Sequence, residues 1–70
     1  MLYVVTGQGR LRGRQWESFE RALTIKDHEI ADMARVQGVA PHHAKKIIAM
    51  CDIMTSENVT ELRNLKVKKL

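Results

Sequence analysis

Basic side chains gather in three stretches of this sequence that contain no acidic residue. The stretches are residues 1–16, 33–51 and 63–70, and their members are Arg10, Arg12, Arg14, Arg35, Lys45, Lys46, Arg63, Lys66, Lys68 and Lys69. Residues 17–32, between the first two stretches, hold five of the eight acidic residues. Guanidinium and ammonium groups attract phosphate backbones by Coulomb steering and by the release of condensed counterions. With a net charge of +4, the pattern favours a polyanionic partner over charge that only keeps the chain in solution.

A second candidate feature is the segment Gly38-Val39-Ala40-Pro41, which lies between two stretches of helical periodicity. Gly38 can adopt the positive φ that ends a helix, and Pro41 suits the first position of the next one. Backbone N–H groups at such a turn and at the following helix N-terminus can converge on a phosphate oxygen. Lys45 and Lys46 follow in the second helix, where they would neutralise neighbouring phosphates.

This segment resembles the helix-hairpin-helix family of DNA-binding modules, which includes those of bacterial competence DNA receptors. The family pattern is Gly-apolar-Gly-Pro-x-x-Ala-Lys-x-Ile, and the chain has Gly38-Val39-Ala40-Pro41-His42-His43-Ala44-Lys45-Lys46-Ile47. The resemblance covers about residues 29–65, and it implies contacts from the turn to the phosphate backbone of duplex DNA. The chain departs from the pattern at Ala40, because the family has a second glycine at this position. The methyl group of Ala40 would crowd an approaching ligand.

A helix-turn-helix is the second interpretation of the same region. Residues 24–27 and 33–41 are similar to the start of repressor headpieces, with Ala34 and Gly38 four residues apart. The helix after Pro41 would then lie in the major groove. The side chains that would contact base edges are His42, His43, Lys45 and Lys46. A third interpretation is an αα-hairpin in which the glycine ends the first helix and the proline begins the second, with no role in nucleic-acid binding.

Other kinds of chemistry find little support in the residue types. The histidines and Cys51 lack the spacing of metal ligands, and no nucleophile–base pair or pair of acids stands out. We therefore expect no enzymatic activity, no metal and no cofactor. The segment Arg10–Arg14 is expected to follow a phosphate backbone or enter a minor groove, or else to be a flexible basic arm. Among the aromatic side chains, Tyr3 is the better stacking candidate, whereas Trp16 and Phe19 are assigned to the core.

Length and composition limit the architecture to a single domain of 70 residues. We divide it into a strand and basic arm (1–14), a helical core (15–65) and a basic tail (66–70). A domain of this size buries only about 60% of its unfolded surface, so self-association is a reasonable source of added stability. The single cysteine suits a reducing cytoplasm. No apolar run is long enough for a signal peptide or a bilayer span, so we expect a cytoplasmic protein without a membrane partner.

The periodicity predicts a mainly α fold, with a short N-terminal strand or hairpin followed by about four short packed helices. The apolar, β-branched run Leu2–Val5 predicts the strand. Helices are predicted over residues 15–23, from about 27 to 36, from 41 to about 54, and from about 56 to 65. The inner face of the third helix is expected to consist of Ala44, Ile47, Ile48, Cys51 and Met54.

Taken together, these patterns favour a small non-enzymatic DNA-binding protein. The proposed contacts are Arg10, Arg12, Arg14, Gly38, Val39, Ala40, His42, His43, Lys45 and Lys46. Two alternatives remain: a helix-turn-helix transcriptional regulator, and a small protein-binding inhibitor or adaptor of a larger enzyme, for which the acidic segment 17–32 is the argument. RNA in place of duplex DNA is a further alternative.

Overall fold

The chain folds into a three-stranded antiparallel sheet with two helices on one side. The computed structural model describes residues 1–70. Its elements are β1 (Leu2–Arg10), β2 (Glu17–Thr24), α1 (Asp27–Gln37), α2 (Pro41–Ser56) and β3 (Glu61–Lys69). The strand order is β2-β1-β3, so β1 is the central strand. The expected mainly α fold with about four helices is therefore wrong, and the protein is a small α/β domain.

The helix predicted over residues 15–23 is replaced by the edge strand β2. Phe19 and Leu23 both pack on the helix side of the sheet, and a spacing of four places side chains on one face of a helix and of a strand alike. Between them, Arg21 also faces inward, where its Nε donates to Asp52 Oδ2 of α2 at 2.9 Å. A charged residue at an inward position hid the alternation that would have indicated a strand.

β3 consists of the second half of the fourth predicted helix and nearly all of the basic tail. Its inward side chains are Leu62, Leu65 and Val67, which pack against the core. A β-bulge, seen as a register shift between Thr6 and Gln8 of β1, adds one residue to β3. The extra residue separates Leu62 from Leu65 by three positions, a spacing typical of helices.

The two central helices are confirmed, although α2 continues to Ser56, where a fourth helix was predicted to begin. Gly38 ends α1 in the left-handed region with φ 65°, and Pro41 is the first residue of α2. The strand predicted at Leu2–Val5 is also present, as the first half of β1.

The core lies between the sheet and the two helices, in two neighbouring clusters. One cluster consists of Tyr3, Ile25, Ile30 and Ala44, and the other of Val5, Ala49 and Ile53. Cys51 is exposed, and Met54 is 40% exposed, which corrects the inner face expected for α2. Residues 47–51 are all apolar, so their periodicity has no unique phase and the packed face could not be chosen from the sequence.

Replacing Ile53 with valine removes one methylene from a fully buried side chain. We expect the free energy of unfolding to fall by about 1 kcal/mol, because the neighbours fill only part of the space left behind. The control Val36→Ala removes two carbons from a side chain that is 70% exposed and should cost less than about 0.5 kcal/mol. Urea denaturation followed by circular dichroism measures both values, and equal losses would contradict this core.

Candidate functional site

The helices cover one face of the sheet and leave the other face open. Side chains alternate across a strand, so the neighbours of the buried residues Tyr3 and Val5 point away from the helices. We call this surface the open face. The register places on it Leu2, Val4, Thr6, Gln8, Arg10, Ser18, Glu20, Ala22, Thr24, Glu61, Arg63, Lys66 and Lys68. All but three of these residues are polar or charged.

Gln8 is the centre of a hydrogen-bonded cluster on the open face. Its Oε1 accepts a hydrogen bond of 2.7 Å from Arg63 Nε and another of 3.3 Å from Asn64 Nδ2. Both donors come from β3, at the bulge. Asn64 has a φ of 56°, a left-handed conformation that asparagine tolerates better than most residues. The bulge therefore directs the Asn64 amide toward β1, and Gln8 is held by two donors at once.

Gly7 allows the bulge to lie close to β1. A Cβ at this position would lie 3.1 Å from the carbonyl oxygen of Arg63 and 3.3 Å from the Phe19 ring. Any larger residue would push β3 away from the central strand or displace the Phe19 side chain. The glycine at position 7 therefore accommodates the close approach of the strand whose bulge positions Arg63 and Asn64 around Gln8.

Trp16 lies beside this cluster, immediately before β2. Its ring centroid is 4.3 Å from Arg10 Cζ and 4.2 Å from Arg63 Cζ, both within the range of cation–π attraction. Arg10 is held in addition by Glu61, with Nη2 2.9 Å from Oε2. Two guanidinium groups thus lie over one indole ring, and we call the arrangement of Trp16, Arg10 and Arg63 the Trp16 cluster.

Positive charge on the open face is only partly compensated. Arg10 is paired with Glu61, but Arg63, Lys66 and Lys68 form no ion pair with a carboxylate. Glu20 is the one acid of this face outside an ion pair. The exposed loop between β1 and β2 adds two further arginines, Arg12 and Arg14. The open face and this loop therefore present mainly cations and hydrogen-bond donors.

The turn between α1 and α2 lacks most of the free donors that a phosphate grip requires. The N–H groups of Gly38 and Val39 both donate to the carbonyl oxygen of Ala34. Those of His43 and Ala44 both donate to the carbonyl oxygen of Ala40, each at 3.0 Å. Only the N–H groups of Ala40 and His42 remain without an acceptor within the chain.

The residues predicted as one binding site fall at opposite ends of the domain. Lys45 Nζ lies 5.4 Å from the centroid of the Tyr3 ring, whereas Arg10, Arg12 and Arg14 follow Gly9 at the far end of β1. Tyr3 and Gly9 are separated by about 20 Å at the rise of a strand. Gly38, Val39, Ala40, His42, His43 and Lys46 belong to the end with Lys45. The structure does not join the two basic regions into one surface.

The sequence prediction missed several residues of the open face. Trp16 was assigned to the core and Tyr3 to stacking, but Tyr3 is only 4% exposed and Trp16 lies on the open face. Gln8, Arg63, Lys66 and Lys68 were not singled out as contacts. The available signal was the alternation Lys66-Val67-Lys68, which places both lysines on one face of a strand.

Comparison of the chain with models of protein families, with curated proteins and with solved structures finds no match. Neither α1 nor α2 has the length and apolar character needed to cross a membrane. No three side chains of His, Cys, Asp or Glu form a group that could hold a metal ion. What the open face can bind follows from its own chemistry.

Replacing Arg63 with alanine should expose the Trp16 ring to solvent. We expect stronger acrylamide quenching of Trp16 fluorescence and a loss of about 1 kcal/mol in stability, because one cation–π contact and the bond to Gln8 disappear. Trp16 is the only tryptophan, so the signal is unambiguous. Lys46→Ala, an exposed cation on α2, is the matched control and should leave quenching unchanged. Unchanged quenching in the Arg63 variant would contradict the Trp16 cluster.

Proposed function

We propose that this protein binds single-stranded nucleic acid on the open face, with the Trp16 cluster at the centre of the site. The observation that carries the proposal is the juxtaposition of Trp16, Arg10 and Arg63, with both Cζ atoms within 4.3 Å of the indole centroid. Aromatic side chains and arginine planes stack on unpaired bases, each stacked base contributing roughly 1–3 kcal/mol.

Unpaired bases suit this surface better than a duplex. Stacking on an aromatic ring requires a base whose face is accessible, and the bases of a duplex already stack on each other. A sheet face also lacks the protruding helix that enters a major groove. Duplex binding was expected at the turn that begins with Gly38, but most N–H groups of this turn already donate hydrogen bonds within the chain.

The uncompensated cations of β3 supply the attraction for a phosphate backbone. Lys66 and Lys68 lie on the same face of an edge strand, with about 7 Å between successive side chains. Arg63 continues the row toward Trp16. A single strand lying along β3 would place its phosphates on this row and its bases over β1 and the Trp16 cluster.

A second candidate function is that of a small protein-binding adaptor. Met33, Val36 and Ile48 line a groove between the two helices together with Glu29, Asp32 and Gln37. Val36 is 70% exposed. A groove lined by apolar and acidic side chains would suit a basic amphipathic segment of another protein.

Fluorescence anisotropy with a labelled single strand and a labelled duplex of equal length tests the proposed function. We expect tighter binding of the single strand and a slope of log K against log salt of about −2 for three phosphate contacts. Ribo- and deoxyribo-oligonucleotides form separate arms of the measurement. Preferential binding of the duplex, or the absence of binding at low salt, would contradict the proposal.

The double variant Lys66→Ala/Lys68→Ala should weaken single-strand binding roughly fivefold to tenfold at moderate salt and flatten the salt slope by about 1.4. Lys45→Ala/Lys46→Ala removes the same charge from the other end of the domain and should leave affinity nearly unchanged. The opposite result would place the nucleic acid on the αα-hairpin, as the helix-hairpin-helix resemblance implies.

Trp16→Ala should lower the affinity for a single strand roughly tenfold or more, because a stacked base loses its platform. Trp16→Phe retains an aromatic face and should keep most of the affinity. Circular dichroism on both variants separates a loss of binding from a loss of folding. Equal affinity of the folded alanine variant and the unsubstituted protein would exclude stacking on Trp16.

A further inference from the structure

The amide of Gln8 has a defined orientation. The Nε–H of an arginine can only donate a hydrogen bond, so the Gln8 atom 2.7 Å from Arg63 Nε has to be the carbonyl oxygen. The second donor, Asn64 Nδ2, reaches the same oxygen at 3.3 Å. The Nε2 group of Gln8 is consequently turned away from both partners and makes no hydrogen bond within the chain.

The surroundings of this amide are rich in hydrogen-bond donors. Arg10 and Arg63 lie beside it on the open face, around Trp16. The carboxylate of Glu61, on the same face, already accepts from Arg10 at 2.9 Å. A base stacked on Trp16 would therefore meet N–H groups along its polar edge.

We infer that Gln8 selects the base bound at the Trp16 cluster, favouring the keto bases uracil, thymine and guanine over cytosine and adenine. This inference rests on the proposed function and adds a specificity to it. Uracil and thymine present O4 and guanine presents O6, all acceptors, where cytosine and adenine present an exocyclic amino group that donates. The Nε2 group of Gln8 can pair with an acceptor and is opposed by a donor.

The orientation of Gln8 is what makes the selection effective. A free glutamine can rotate its amide to offer either the oxygen or the nitrogen, so it discriminates poorly between keto and amino groups. Here two donors from β3 hold the oxygen, and the rotated amide would leave Arg63 Nε facing an NH2 group. Arg63 and Asn64 act as positioning residues for Gln8.

Oligouridine and oligocytidine of equal length provide the test, measured by anisotropy at slightly alkaline pH. The two pyrimidines carry the same charge and have similar ring size. The ratio of their affinities therefore reports the effect of the functional groups on the polar edge of the base. We expect the unsubstituted protein to prefer uridine about fivefold, the value of one hydrogen bond. Gln8→Ala should reduce the ratio to about one, because no oriented donor remains.

Gln8→Glu is the decisive variant. Its carboxylate still accepts from Arg63 and Asn64, but it presents a second acceptor in place of the Nε2 donor. We expect weaker binding of both oligonucleotides and a ratio that shifts toward cytidine. If Gln8 only supported the bulge, this variant would retain the uridine preference, and the inference would be overturned.

The remaining outcomes separate the specificity from the proposed function. Equal binding of both oligonucleotides by the unsubstituted protein would overturn the role of Gln8 and leave single-strand binding intact. The absence of binding to either one at low salt would overturn the proposed function itself. If Gln8→Glu does not fold, the uridine-to-cytidine affinity ratios of the unsubstituted protein and of Gln8→Ala decide whether Gln8 selects the base.

Discussion

The central constraint on this domain is that its two helices cover only one face of a three-stranded sheet. β1 is hydrogen-bonded on both edges, and its inward side chains Tyr3 and Val5 each belong to one of the two core clusters. No element within residues 1–70 covers the opposite side, where Thr6, Gln8 and Arg10 lie. The central strand of the fold thereby displays polar side chains on an uncovered surface.

The bulge in β3 connects the packing of the core to the chemistry of the open face. One additional residue keeps Leu62 and Leu65 on the inward side and turns Asn64 toward Gln8. Gly7 provides the space that this distortion requires. Because the same distortion determines the inward and outward positions, a change that relaxes the bulge would alter both the core and the orientation of Gln8.

Charge is divided between the two sides of the domain. On the helix side, Arg21 is bound by Asp52 and Glu57, and α1 carries the acids Asp27, Glu29 and Asp32. On the open face, most cations lack a carboxylate partner. The net charge of +4 therefore does not show how unequally charge is distributed between the helix side and the open face. This unequal distribution would orient an approaching polyanion toward the sheet.

The two central helices, the first strand and the three basic stretches could be predicted from the order of residues alone. Gly38 and Pro41 act locally, through a positive φ and a fixed φ, so no distant residue was needed to place the turn. Pairing with β1 makes residues 17–24 and 61–69 strands, because their hydrogen bonds come from β1 and their apolar spacing suits a helix equally well. It also decided which basic residues lie together. The sequence analysis placed Arg10 and Lys45 in one binding site. Strand pairing instead places Arg10 beside Trp16 and beside Arg63, which is more than fifty positions away along the chain. Charge can be counted along a chain, but its distribution over a surface depends on long-range pairing.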